Sequence, residues 1–108
     1  MIEAKLFHSK DGFCAFSLEG HSGYAEEGSD IVCAAVSAIA QYIIGAAEHM
    51  NLPCRYELED GLITFSFSEE TSTEQKRRMQ DFLVPFEAAL KELCKAYGEY
   101  LKISCLEV

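Results

Sequence analysis

The sequence predicts an α+β domain in which a mixed or antiparallel sheet packs against two helices, in the order β-β-α-β-β-α-β. Three observations carry this expectation. Two stretches alternate apolar and polar residues around a central turn, two others repeat apolar residues at helical spacing behind capping residues, and a last alternating stretch closes the chain. With 108 residues, 49% of them hydrophobic, the chain has the size of one domain spanning 1–108, with core enough to fold without disulfides or metal.

The first hairpin begins with Ile2, Ala4, Leu6 and His8 alternating with Glu3, Lys5 and Phe7, turns through Ser9 to Gly12, and returns through Phe13 to Glu19. Ser29 or Asp30 then caps a helix running to about His49, in which Ile31, Ala35, Ile39 and Ile43 form one apolar row and Val32, Val36 and Ala40 another. A surface that wide predicts burial on more than one side. The second hairpin is Tyr56 to Glu59, the turn Asp60-Gly61, and Leu62 to Phe67, because Asp-Gly accepts the positive φ angles of a two-residue loop. Thr71-x-x-Glu74 and Ser72-x-x-Gln75 are both capping boxes for a second helix carrying Met79, Phe82, Leu83, Phe86, Leu90, Leu93 and Tyr97, which Pro85 should kink or divide. Tyr100 to Glu107 is the last strand.

Nine basic against eighteen acidic residues give a net charge of −9, which repels phosphate backbones and anionic lipid, so neither nucleic acid nor a membrane is an expected partner. A basic protein or peptide suits this charge better. Cysteines at 14, 33, 54, 94 and 105 are odd in number and lack C-x-x-C or zinc-module spacing, which points to reduced thiols and a cytoplasmic setting. The N-terminus alternates like a strand and does not read as a secretory signal. Ile31 to Ala47 is apolar but interrupted by Ser37, Gln41 and Gly45, and reads as a buried helix.

Chemistry concentrates in Gly20-His21-Ser22-Gly23-Tyr24-Ala25-Glu26-Glu27-Gly28-Ser29-Asp30-Ile31-Val32-Cys33-Ala34-Ala35-Val36-Ser37. This stretch puts a histidine at a strand end and a cysteine in the first turn of a helix, where unpaired N–H groups and the helix dipole favour a thiolate. An imidazole within reach would complete the minimum machinery of a thiol hydrolase, with backbone N–H groups at the helix start, that of Cys33 included, as oxyanion donors. The residues alone do not separate a nucleophile from a core cysteine, the more frequent role.

The same segment resembles the signature of the ribosomal-processing cysteine proteases, the Prp family: a Gly-His pair, a glycine-bearing loop, then Asp-Ile/Leu-Val-Cys-Ala-Gly/Ala-Val-Ser. Here these are Gly20-His21, Gly28, and Asp30 through Ser37, with Ser22 standing where members commonly have alanine. The resemblance implies a cysteine endopeptidase without cofactor or metal, in which Cys33 is the nucleophile and His21 the base. It implies as substrate the N-terminal extension of a basic large-subunit ribosomal protein, twenty-seventh in the standard numbering, cut after a pair of aromatic residues. A homodimer is expected as well.

Other positions keep two readings. Asp30 is a helix cap or an orienter of the imidazole, and Ser37, one turn beyond Cys33, lines the pocket or bonds back to its own helix. Gly20, Ser22, Gly23, Glu26, Glu27, Gly28 and Ser29 form a substrate loop that opens and closes, its acidic pair available to basic peptide residues. Two functions from other classes compete with the protease: a non-enzymatic ribosome-assembly factor that binds a basic ribosomal protein, and a metal module built on His21, Cys33 and Asp30.

Overall fold

Alternation and capping resolve into seven elements in the computed structural model, which describes residues 1–26 and 30–108. They are β1 (Ile2–Ser9), β2 (Gly12–Glu19), α1 (Ile31–His49), β3 (Cys54–Glu59), β4 (Leu62–Phe67), α2 (Thr73–Ala96) and β5 (Leu101–Glu107). The five strands form one sheet in the order β3-β4-β2-β1-β5. All neighbours are antiparallel except β1 and β5, so the sheet is mixed. The predicted α+β class and element order are those observed, with β3 starting at Cys54 and β5 at Leu101.

The period of two decides which face of the sheet is covered. Ile2, Ala4, Leu6, Phe16, Leu18, Ile63, Phe65 and Leu101 are buried in one cluster with Val36, Ala40 and Ile43 of α1 and Met79, Leu83 and Leu90 of α2. Glu3 and Lys5, between the buried positions of β1, are exposed. The register of β1 against β2 shifts between Phe7 and His8, a bulge that keeps Phe13 on the buried side with Phe16. At that end of the hairpin the Gln80 side chain of α2 acts as a local strand partner. Its Oε1 accepts the Phe13 N–H at 3.0 Å and its Nε2 donates to the Phe13 carbonyl at 2.8 Å.

The helix signals divide. Asp30 is the cap of α1, as one of the two predicted candidates; Ser29 lies outside the described residues. Ser72 and Gln75 form the reciprocal capping box of α2. Thr71 does not cap: buried, it donates its hydroxyl to the Pro53 carbonyl and accepts the Ser68 N–H at 3.0 Å, tying the chain ahead of β3 to the chain after β4. Pro85 does not divide α2, which runs unbroken through it. Proline removes the N–H that would reach residue 81, and both Asp81 and Pro85 lie on the exposed face, where solvent can satisfy the orphaned carbonyl.

In α1 the row of Val32, Val36, Ala40, Ile43 and Ala47 is buried, but Ile31 is 51% exposed and Tyr42 66%. Within a single chain, then, the helix is covered on one side and the wide apolar surface expected to be buried is partly open. The Gln80 brace should be worth about 1–3 kcal/mol, since Gln80→Ala strips a half-buried backbone of two bonds. Urea unfolding of that variant should show the loss as a lower midpoint at unchanged slope, and a loss below about 0.5 kcal/mol would show that solvent substitutes for the amide.

Candidate active site

Strand β2 delivers His21 to the end of the sheet where the β3–β4 turn projects. Gly20 sits at φ +99°, and a Cβ there would lie 2.6 Å from the Met1 carbonyl oxygen, so only glycine lets the chain leave β2 in this direction. The Gly20 N–H bonds to the Gly61 carbonyl at 2.9 Å, which ties the exit of β2 to the turn. Gly61, at φ +75°, leaves room for the imidazole: a Cβ on it would be 3.1 Å from His21 Nε2. Asp60 of the same turn places Oδ1 3.9 Å from that nitrogen, with the His21 side chain 57% exposed.

Helix α1 brings the thiol from the other side. The Asp30 carboxylate caps it with one oxygen: Oδ1 accepts the N–H groups of Val32 at 3.0 Å and of Cys33 at 2.9 Å. Its other oxygen, Oδ2, accepts the Ser22 hydroxyl. The Ser22 bond, ahead of those from the Cys33 and Ala25 backbones and the Cys33 thiol and against partial desolvation, holds the Asp30 carboxyl at about 2, below its ordinary 3.8. Ser22 in turn donates its backbone N–H to Cys33 Sγ at 3.3 Å.

These groups line one cavity of about 470 Å3. Gly20, His21, Gly23, Asp30, Cys33 and Ser37 contribute from the segment singled out in the sequence, whereas Ser22 is buried against Cys33 and Glu26 is exposed. Glu27, Gly28 and Ser29 lie outside the described residues. The described part of the loop has a second anchor in Tyr24, whose ring meets Tyr97 and Tyr100 edge-on at 5.7 and 5.2 Å between centroids. The opposite wall was not anticipated. Leu58, Asp60, Gly61 and Ile63 from the second hairpin face the helix, and Gln41 extends the row of Cys33 and Ser37 by another turn. The spacing of Cys33, Ser37 and Gln41 was visible in the sequence; that the Asp-Gly turn would fold over the histidine depends on tertiary pairing.

One open reading is decided and one expectation changes. Asp30 is the helix cap, and its oxygens are directed to Val32, Cys33 and Ser22, while the carboxylate facing His21 is that of Asp60. The Cys33 N–H is not an open oxyanion donor, because it is bonded to Asp30; the Ala34 N–H is likewise bonded, to the Asp30 carbonyl at 3.1 Å. His21 and Cys33 line the same cavity without a direct hydrogen bond between them, and catalytic contacts that are long in a free enzyme commonly tighten on substrate binding. His8, from the far part of β1, is engaged with α2, its Nε2 2.7 Å from Glu87 Oε1. Among the described residues, no three His, Cys, Asp or Glu side chains converge to hold a metal ion. The thiols of Cys14 and Cys54 are pushed up by burial, as packed side chains would be.

Comparison with known proteins shows the fold and the family. The ribosomal processing cysteine protease Prp of Bacillus subtilis is 27% identical over 111 residues, covering 96% of each chain. The crystal structure of SMU.848 from Streptococcus mutans superposes with a TM-score of 0.80 at 25% identity, covering 100% of this chain and 96% of that one. The essential ribosomal processing protease Prp of S. aureus, solved with a covalently linked product peptide, superposes with a TM-score of 0.84 at 21% identity, covering 97% of this chain and 99% of that one. The family model for the cysteine protease Prp matches residues 1–102, nearly the whole chain and all of the cavity described above, and the chain belongs to that family of cysteine proteases.

Proposed function

We propose that this protease removes the N-terminal extension of a basic large-subunit ribosomal protein, the twenty-seventh, during ribosome maturation in the bacterial cytoplasm, with Cys33 as nucleophile and His21 as base and acid. The observation that carries the assignment is the meeting of a helix-start thiol and a strand-end imidazole in one cavity, with a backbone N–H already donated to the sulfur. His21 takes the thiol proton and Cys33 Sγ attacks the scissile carbonyl. The tetrahedral adduct collapses as His21 returns the proton to the leaving amine, forming a thioester. Water, deprotonated by the same imidazole, then releases the acid.

The cavity supports that substrate class on both counts. Leu18, Val36, Leu58 and Ile63 give it apolar lining suited to aromatic residues before the scissile bond, and Glu59 and Asp60 give its rim the charge a basic product side would meet. Ser37 and Gln41 lie along the same helix face as Cys33, placed to bind peptide main chain. Five free thiols suit a reducing compartment. Family membership removes the rationale for a purely non-enzymatic assembly factor.

Incubating the enzyme with the extended ribosomal protein should give one shortened product by mass analysis of its N-terminus; an intact substrate after prolonged incubation overturns the substrate assignment. Cys33→Ala should abolish cleavage with an unchanged thermal melt. His21→Ala should lose about a hundredfold or more, and its Cys33 should need higher pH for alkylation by iodoacetamide. An unchanged alkylation profile would send the base elsewhere. The open side of α1, with Ile31 and Tyr42, also supports a homodimer. Light scattering should then give about twice 12.0 kDa, and a mass of 12.0 kDa at micromolar concentration contradicts the dimer.

A further inference from the structure

Ser22 is 3% exposed, one of two buried polar side chains among the described residues, and its polar atoms converge on the reacting centre. A buried hydroxyl is costly unless bonded. Here Oγ donates its single proton to Asp30 Oδ2 and accepts the Tyr24 N–H at 3.1 Å, so the side chain is fixed from both directions. The backbone N–H of the same residue points at Cys33 Sγ, 3.3 Å away. Three donors of the helix start are meanwhile occupied: Val32 and Cys33 by Asp30 Oδ1, Ala34 by the Asp30 carbonyl.

Resting on the protease reading above, we propose that Ser22 is a catalytic residue through its backbone N–H, which its own hydroxyl, locked to Asp30, aims at the reacting atoms. Before attack that N–H lies against the sulfur that must carry negative charge. After attack the charge resides on an oxygen whose carbon is bonded to the same sulfur, one bond angle from where the donor already points. A small displacement transfers the hydrogen bond from sulfur to oxyanion, and a donor fixed beforehand requires no reorganisation when the charge arrives. The Ser22 hydroxyl acts only by position. It joins the strand-end loop, which carries His21, to the cap of the helix, which carries Cys33.

Ser22→Ala tests this, because it keeps the N–H and removes what aims it. Cleavage of the extended ribosomal protein should show kcat reduced about tenfold, less than the loss from deleting an oxyanion donor outright, with KM within about twofold. Alkylation of Cys33 by iodoacetamide, which needs no peptide, should move to higher pH. The Asp30 carboxyl, observed by NMR, should titrate closer to its ordinary 3.8, since its largest stabilising partner is gone. The sign for stability follows: a carboxyl held down in the fold contributes stability that is fully present above its unfolded value and lost as pH falls through about 2, so the variant, with a smaller gap between the two values, should lose less stability over that acid range.

Ser22→Thr, which keeps the hydroxyl, should restore kcat and the alkylation profile toward wild type. Asp30→Asn keeps a good capping residue but no charged acceptor for the hydroxyl, and should share the kcat defect in milder form. If Ser22→Ala raises the Asp30 titration yet leaves kcat and the alkylation profile unchanged, the bond is purely structural and the proposal is overturned. If the wild type cuts no ribosomal protein but the alkylation profile still shifts in Ser22→Ala, the aimed N–H stands and the substrate assignment fails.

Discussion

The Asp30 carboxylate is the constraint on which the rest of the site depends, because one side chain makes two unlike attachments. A serine or asparagine would cap α1 nearly as well, since capping needs only one acceptor oxygen. Asp30 uses a second oxygen to hold the Ser22 hydroxyl. The helix therefore begins at a fixed distance from the end of β2, and Cys33, in its first turn, acquires a set relation to residues 21 and 22. Donors gathered around the carboxylate also disperse its charge. An acidic group beside a developing thiolate would otherwise oppose it, and bonds from Ser22, Val32 and Cys33 direct the Asp30 lone pairs into the scaffold.

Sheet order provides the opposite wall. Because β4 pairs with β2 and β3 lies outside it, the β3–β4 turn falls beside the exit of β2, and the bond from Gly20 to Gly61 closes the two together. A turn residue with a side chain would push the imidazole away, so the glycine that makes the hairpin is also the one that seats His21. The cavity lies between a helix fixed by its cap and a hairpin fixed by its strand pairing, with Ile2 of β1 and Leu18 of β2 also in its lining. A peptide entering there meets rigid elements on both sides, which suits a site that must hold a carbonyl against a sulfur.

Much of this was legible in the sequence because it is local. Alternation at Ile2 to Leu6, the Asp60-Gly61 turn, the Asp30 cap and the Ser72–Gln75 box each depend on neighbours within a few residues, and each appears in the structure. Cys33 and His21 were legible as a pair only through the motif that surrounds them. What escaped was long-range. Thr71 matched a capping box as well as Ser72 did, but its hydroxyl goes to Pro53, a residue eighteen positions away. Pro85 reads as a break wherever its missing N–H matters, and here the affected face looks outward. Leu58, Asp60 and Gly61 join the cavity because of pairing between β2 and β4, which leaves no periodic signal.

Charge placement explains how a chain of net charge −9 can still run chemistry that depends on a thiolate. The carboxylate closest to Cys33 in sequence, Asp30, keeps its charge and is held by donors from Ser22, Val32 and Cys33, while Asp60 places Oδ1 3.9 Å from His21 Nε2. Negative charge in this cavity is thus arranged so that the sulfur meets an N–H and the imidazole meets a carboxylate. The remaining acidic groups, Glu59 of the rim and exposed Glu26 of the loop, point toward solvent and toward any basic peptide approaching from it. Within the cavity the bonds from Ser22, Val32 and Cys33 hold the Asp30 charge at the helix start, and the Ser22 N–H gives the sulfur a donor of its own.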